Sequence, residues 1–109
     1  MYVYYGPFIP RRGRLAARRG HRVVATDIVS TYTECLRANA LLNGVGSRLE
    51  SRTGDLFDPV TAETFDVIAT NPPQLPTPPD REWHDAQSRM DNGGPDGWLL
   101  LDRIIQEGP

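Results

Sequence analysis

Lysine is absent from this 109-residue chain, cysteine occurs once, and histidine, methionine and tryptophan occur twice each. The single Cys35 excludes an internal disulfide, which suits a reducing cytoplasm. It sits in a helical pattern beside Leu36 and Ala40, so a small core thiol is expected there. His21 and His84 are isolated, no His/Cys cluster has metal-ligand spacing, and no metal is expected. No apolar run approaches the roughly 18 residues of a membrane-spanning helix. Residues 1–9 lack the length and basic start of a signal peptide, so no membrane role is expected. No internal repeat is visible. What is present, 39% hydrophobic and 24% charged residues, has the composition of one small soluble domain spanning 1–109.

All the basic side chains are arginines, and charge is unevenly divided. Residues 1–54 carry nine Arg against Asp27, Glu34 and Glu50, a balance of +6. Residues 55–109 carry three Arg against eleven acids, a balance of −8, which together give the formal −2. The six arginines between Arg11 and Arg22 could touch nucleic-acid phosphates. No aromatics interleave with them, and a solvated helix face is the simpler account.

The pattern alternates strand and helix. Tyr2–Tyr5 is a short β-prone run, and Pro10–Arg19 reads as a helix. Arg22–Thr26 reads as a buried strand. Thr31-Tyr32-Thr33-Glu34 has the form of a capping box, and Asn43-Gly44 closes the helix that follows. Cys35, Leu36, Ala38, Ala40, Leu41 and Leu42 are expected to give that helix its apolar face. Leu49–Thr53 and Phe65–Thr70 are further strands, the latter read as buried. Pro72–Pro79, with five prolines, is an extended loop, and Gly93–Gly97 punctuates before a last helix, Trp98–Gln106. This alternation predicts an α/β fold with a parallel sheet of about four strands and flanking helices.

Polar residues recur where strands end. Asp27 follows the second strand, Asp55 the third, and Asn71-Pro72-Pro73 the fourth. In open α/β sheets ligands bind at that edge. A carboxylate at Asp27 suits two ribose hydroxyls, although a strand-end Asp also caps helices. Asp55 suits an adenine amino group, with Leu56 and Phe57 flanking the ring. Neither proline after Asn71 can donate to a ladder, so the strand stops and leaves an amide oxygen beside stiff carbonyls. Such a pair can hold a planar –NH2 group by both hydrogens.

From about Arg14 to Gln106 the chain resembles the class I S-adenosylmethionine-dependent methyltransferases, within them the release-factor glutamine N5-methyltransferase type and its small-domain relatives. The resembling pieces are Gly20–Asp27, Ala38–Val45, Gly54–Phe57, Asn71-Pro72-Pro73 and Gly93–Gly97 followed by Ile104-Ile105. The resemblance implies a Rossmann-like sheet and methyl transfer to an amide or amino nitrogen of a protein or nucleic acid. It implies Gly6, Asp27, Asp55, Leu56 and Asn71 at the S-adenosylmethionine site, Asn71 and Pro72 as catalytic, and Asn71, Pro73 and Gln74 at the acceptor.

The chain also departs from that pattern. The family opens with an acid-bearing strand and a Gly-x-Gly-x-Gly loop; here Tyr4 replaces the acid, and Gly6-Pro7-Phe8-Ile9-Pro10 keeps only the first glycine. Gln74 stands where an aromatic residue usually follows Asn-Pro-Pro. The family sheet has seven strands, so a remnant or fragment with weak or no cofactor binding is the alternative expectation. Self-association through an exposed sheet edge is expected with it. A nicotinamide-dependent dehydrogenase shares the Asp after strand two but lacks Gly-x-Gly-x-x-Gly here and gives Asn-Pro-Pro no role.

Overall fold

The computed structural model describes residues 2–5, 9–70, 72–81 and 92–108, with the backbone alone for 2–5, 9–12 and 81. The chain divides into two compact units, one up to residue 71 and one from Pro72 to Gly108. The first unit holds strands β1 (Tyr2–Tyr5), β2 (Val23–Asp27), β3 (Leu49–Thr53) and β4 (Val67–Thr70), with helices α1 (Ile9–Arg18) and α2 (Ser30–Leu42). The strands form one parallel sheet in the order β3-β2-β1-β4. The second unit holds a short 3-10 turn (Pro79–Arg81) and helix α3 (Leu99–Glu107). Among the described residues no helix is long and apolar enough to cross a membrane, and no group of His, Cys, Asp and Glu could hold a metal ion.

Alternation along β2 builds the core. Val23 and Ala25 join Ala16 and Ala17 of α1, Leu36 and Ala40 of α2, and Val45 and Leu49 in one buried cluster. Val24 and Thr26 alternate with them and are also enclosed. Central in the sheet and enclosed on both faces from Val23 to Thr26, β2 reads as a nearly continuous apolar run.

Several expectations need correction. Helix α1, Ile9–Arg18, matches the expected helix Pro10–Arg19 to within a residue, so Ile9 and Pro10 lie in its first turn, where a missing N–H costs nothing, and not in the loop Gly6–Pro10 that the resemblance implies. The Thr31–Glu34 capping box does not form. The N-cap of helix α2 is Val29, two residues before Thr31; it offers no side-chain cap, and Thr31 and Glu34 are exposed. The buried stripe of α2 is Thr33, Leu36 and Ala40, the i, i+3, i+7 face. Cys35, Ala38, Leu41 and Leu42 point to solvent, so Cys35 is not a core thiol. The other end is as expected. The Val45 amide donates to the Ala40 carbonyl at 2.9 Å and that of Gly44 to Leu41 at 3.1 Å, a complete Schellman closure with Gly44 at φ +69°. Strand β4 is exposed, not buried, and among the described residues β1 is its one strand partner.

Candidate active site

The register brings all four carboxyl ends to one edge: Asp27 pairs with Thr53, and Tyr5 pairs with both Thr26 and Thr70. From β1 the chain steps outward through β2 to β3, then returns to the other side of β1 with β4. Winding direction therefore reverses between β1 and β4, and ligands of open α/β sheets bind in the crevice at such a reversal. Gly6 follows β1 and Asn71 follows β4 in the chain. Both lie outside the described residues, as does Phe8.

Asp27 closes β2 and is half-buried. Its Oδ1 accepts the Val29 amide at 2.8 Å, an Asx turn that carries the strand into α2. Asp27 thus turns the chain into α2 without capping it, since the N-cap of the helix is Val29. Burial pushes its carboxyl above the usual range, and the amides of Val29 and Ile28 pull it partly back.

Four hydroxyl residues that sequence reasoning missed hold this rim to α2 and β3. Ser51 donates to the Thr33 carbonyl at 2.9 Å. Thr33 gives its proton to the Ser30 carbonyl at 2.8 Å, so in its 2.6 Å contact with Thr53 the latter is the donor. Buried Thr26 donates to the Leu56 carbonyl at 3.2 Å. The one available signal was Thr26, a polar residue inside the otherwise apolar start of β2.

Past β3, Gly54 donates to the Asp27 carbonyl at 2.9 Å. A Cβ on Gly54 would lie 2.3 Å from the Pro59 ring, so the position must be glycine. Arg52 anchors that ring by donating to the Pro59 carbonyl at 2.9 Å, and pairs with Glu50 at 2.9 Å and with Glu63. Asp55 is half-buried on the turn that follows. Leu56 has φ +47°, the one positive value outside glycine among the described residues. Its side chain is fully enclosed, and that of Phe57 nearly so. They back the rim, and the expectation that both side chains flank a ring gives way to one in which Leu56 can offer only its backbone. Strained backbone of this kind concentrates at ligand sites.

In the second unit Pro72 and Pro73 are buried and Gln74 is exposed. The glycine run that sequence marked as punctuation packs on this segment. Gly93 donates to the Leu75 carbonyl at 2.9 Å, and Thr77 donates to that of Gly94 at 2.7 Å. A Cβ on Gly97, at φ +84°, would lie 2.4 Å from the Gln74 carbonyl oxygen. The glycines are there so that the proline segment can lie against them.

No family model matches the chain. Individual proteins do. It is 40% identical over 95 residues to a chain of Methanocaldococcus jannaschii named as a protein N5-glutamine methyltransferase, covering 86% of this chain and 46% of that one. It is 32% identical over 91 residues to the release factor glutamine methyltransferase of Aquifex aeolicus, covering 77% and 31%. It is 32% identical over 93 residues to the ribosomal protein uL3 glutamine methyltransferase of Bordetella pertussis, covering 81% and 31%. This chain is a sequence relative of the protein glutamine methyltransferases. It spans less than half the length of each of these three.

Proposed function

We propose that this methyltransferase relative carries, within one methyltransferase domain, the cofactor and acceptor sites of an S-adenosylmethionine-dependent N-methyltransferase. Its acceptor is the side-chain amide of a protein glutamine. The main support is a strand edge that ends in Asp27 and continues after Thr70 into Asn71-Pro72-Pro73, in a chain related to glutamine methyltransferases.

The donor set fits the cofactor. A carboxylate offers about four lone-pair sites. At Asp27 the amides of Val29 and Ile28 occupy part of them and leave room for two ribose hydroxyls. Asp55 takes the adenine amino group beside the backbone of Leu56, and Gly6 lets the chain pass close to the ligand. When bound, S-adenosylmethionine supplies an electrophilic methyl on a sulfonium; a C–S bond breaks, an N–C bond forms and the amide loses a proton. The Asn71 side-chain oxygen and the Pro72 carbonyl accept the two hydrogens of the glutamine –NH2. That fixes the amide plane so that the nitrogen faces the methyl, and positioning is the chief contribution. Pro73 and Gln74 border the acceptor.

A second reading, a non-catalytic chain with weak or no cofactor binding, is favoured by one observation. Helix α1 begins at Ile9, so residues 6–8 alone join it to β1, with one glycine among them. Calorimetry with S-adenosylhomocysteine separates the two. The first reading expects binding that Asp27→Ala weakens at least tenfold, and tritiated-methyl transfer to a glutamine peptide that Asn71→Ala abolishes with cofactor affinity kept. A wild-type chain that binds no S-adenosylhomocysteine supports the second.

A further inference from the structure

At the opposite edge of the sheet, the amino-terminal ends of β2 and β3 meet the C-terminal half of α2 around a cleft of about 540 Å³. Arg22 precedes β2, Arg48 precedes β3 and Arg37 projects from α2, and all three line it. Each is exposed, and among the described residues none has an ion pair or a side-chain hydrogen bond. Glu50 also lines the cleft, but Arg52 occupies both of its oxygens, at 2.9 and 3.2 Å, and holds its carboxyl below the usual range. Three exposed guanidiniums therefore share one concavity in a chain of net negative charge, with Arg22 near enough to Glu50 to help hold its carboxyl down.

We propose that this cleft binds the phosphodiester backbone of single-stranded nucleic acid. Guanidinium forks match phosphate oxygens, and a repeated phosphate needs only spaced cations. An acidic peptide would also bring anions, and arginine clusters do recognise such motifs, but a phosphodiester backbone presents one anion per nucleotide at a regular spacing, which spaced cations alone can hold. The lining supplies no aromatic residue, and its Leu41 is exposed. No aromatic means no base stacking, so binding is independent of sequence and strongly salt-dependent. The site is separate from the proposed methyl-transfer site and does not rest on it.

The test is fluorescence anisotropy of labelled oligouridine and oligothymidine, each about 20 nucleotides long, titrated with the full chain across a salt series. Three single-strand phosphate contacts give a log–log salt slope of about −2. Arg37→Gln with Arg48→Gln is expected to bring the slope to about −0.7 and weaken binding at least tenfold at about 50 mM salt. Arg22→Gln alone should reduce the slope by about 0.7. Arg103→Gln, whose partner is Glu107 in the other unit, should leave both unchanged. Since Arg37 and Arg48 are exposed and make no ion pair or side-chain hydrogen bond among the described residues, the double variant should melt like the wild type. Preference for uridine over thymidine would identify RNA as the source of the phosphates, and equal binding would leave backbone recognition intact. Wild-type slope and affinity in the double variant overturn the proposal. So does displacement by polyglutamate as efficient, charge for charge, as by unlabelled oligouridine, which would make the ligand an acidic peptide.

Discussion

Strands β2 and β4 carry almost the same apolar run, Val23-Val24-Ala25-Thr26 against Val67-Ile68-Ala69-Thr70, in opposite surroundings. Val23 and Val24 are fully enclosed, whereas Val67 and Ile68 keep 41% and 36% of their surface. Composition does not separate them; neighbours do. β2 lies between β1 and β3 and under helix side chains, with Leu56 and Val60 also enclosed, while among the described residues β4 has β1 on one side only. An apolar run specifies a strand, and the order of strands decides how much of it is covered.

The largest expected effect is on the covered side. Leu56→Ala removes the bulkiest fully enclosed side chain and should cost about 3 kcal/mol in urea unfolding. Val24→Ala should cost about 2 kcal/mol. The matching change at the exposed strand, Ile68→Ala, should cost less than about 1 kcal/mol. Equal losses at Val24 and Ile68 would mean that β4 is covered in solution, for instance by self-association, and a concentration-dependent melting temperature would reveal it.

The same contrast explains what was legible in the sequence. Strand Leu49–Thr53 and the glycine closure of α2 were readable because their signals are local: uncharged Leu49, Ser51 and Thr53 alternating with charged Glu50 and Arg52, and a glycine where φ must be positive. The apolar face of α2 was misread because Leu41 and Leu42 look like core, yet they lie off the Thr33–Leu36–Ala40 stripe that meets the sheet. Asp27 and Asp55 were legible as strand-end acids. The hydroxyl ties of Thr26, Thr33, Ser51 and Thr53 were not, since each joins residues 18 to 30 apart in the chain. Nor was the packing of Gly97 on Gln74, which depends on two segments meeting.

Two glycines extend the comparison to the backbone. Gly54→Ala would drive a Cβ to 2.3 Å from the Pro59 ring that Arg52 anchors, and should cost about 2 kcal/mol by overpacking. Gly20→Ala meets nothing within 4 Å, and only its φ of +94° opposes it, so about 1 kcal/mol is expected. If the order is reversed, the Pro59 turn yields more readily than the cap of α1, and the rim beside Asp27 is the softer of the two.

The smallest effect expected on stability is also the most informative about the site. Burial holds the Asp27 carboxyl above its usual range, so its ionised form opposes folding at neutral pH. That penalty disappears as pH falls through the raised folded-state value, because the protonated acid no longer carries the buried charge. Asp27→Asn keeps an oxygen for the Val29 amide and removes the charge, so at neutral pH it should melt at or slightly above the wild type. The gap should close on acidification, as the wild type sheds its own charge. Adenosyl-ligand affinity should move the other way: weaker in Asp27→Asn, and in the wild type declining at a pH above that expected for an ordinary aspartate. Gain of stability with loss of binding would mark Asp27 as a residue kept for its ligand. A lower melting temperature at neutral pH would instead show that the charged Asx turn outweighs the cost of burial, making helix entry the chief role of Asp27.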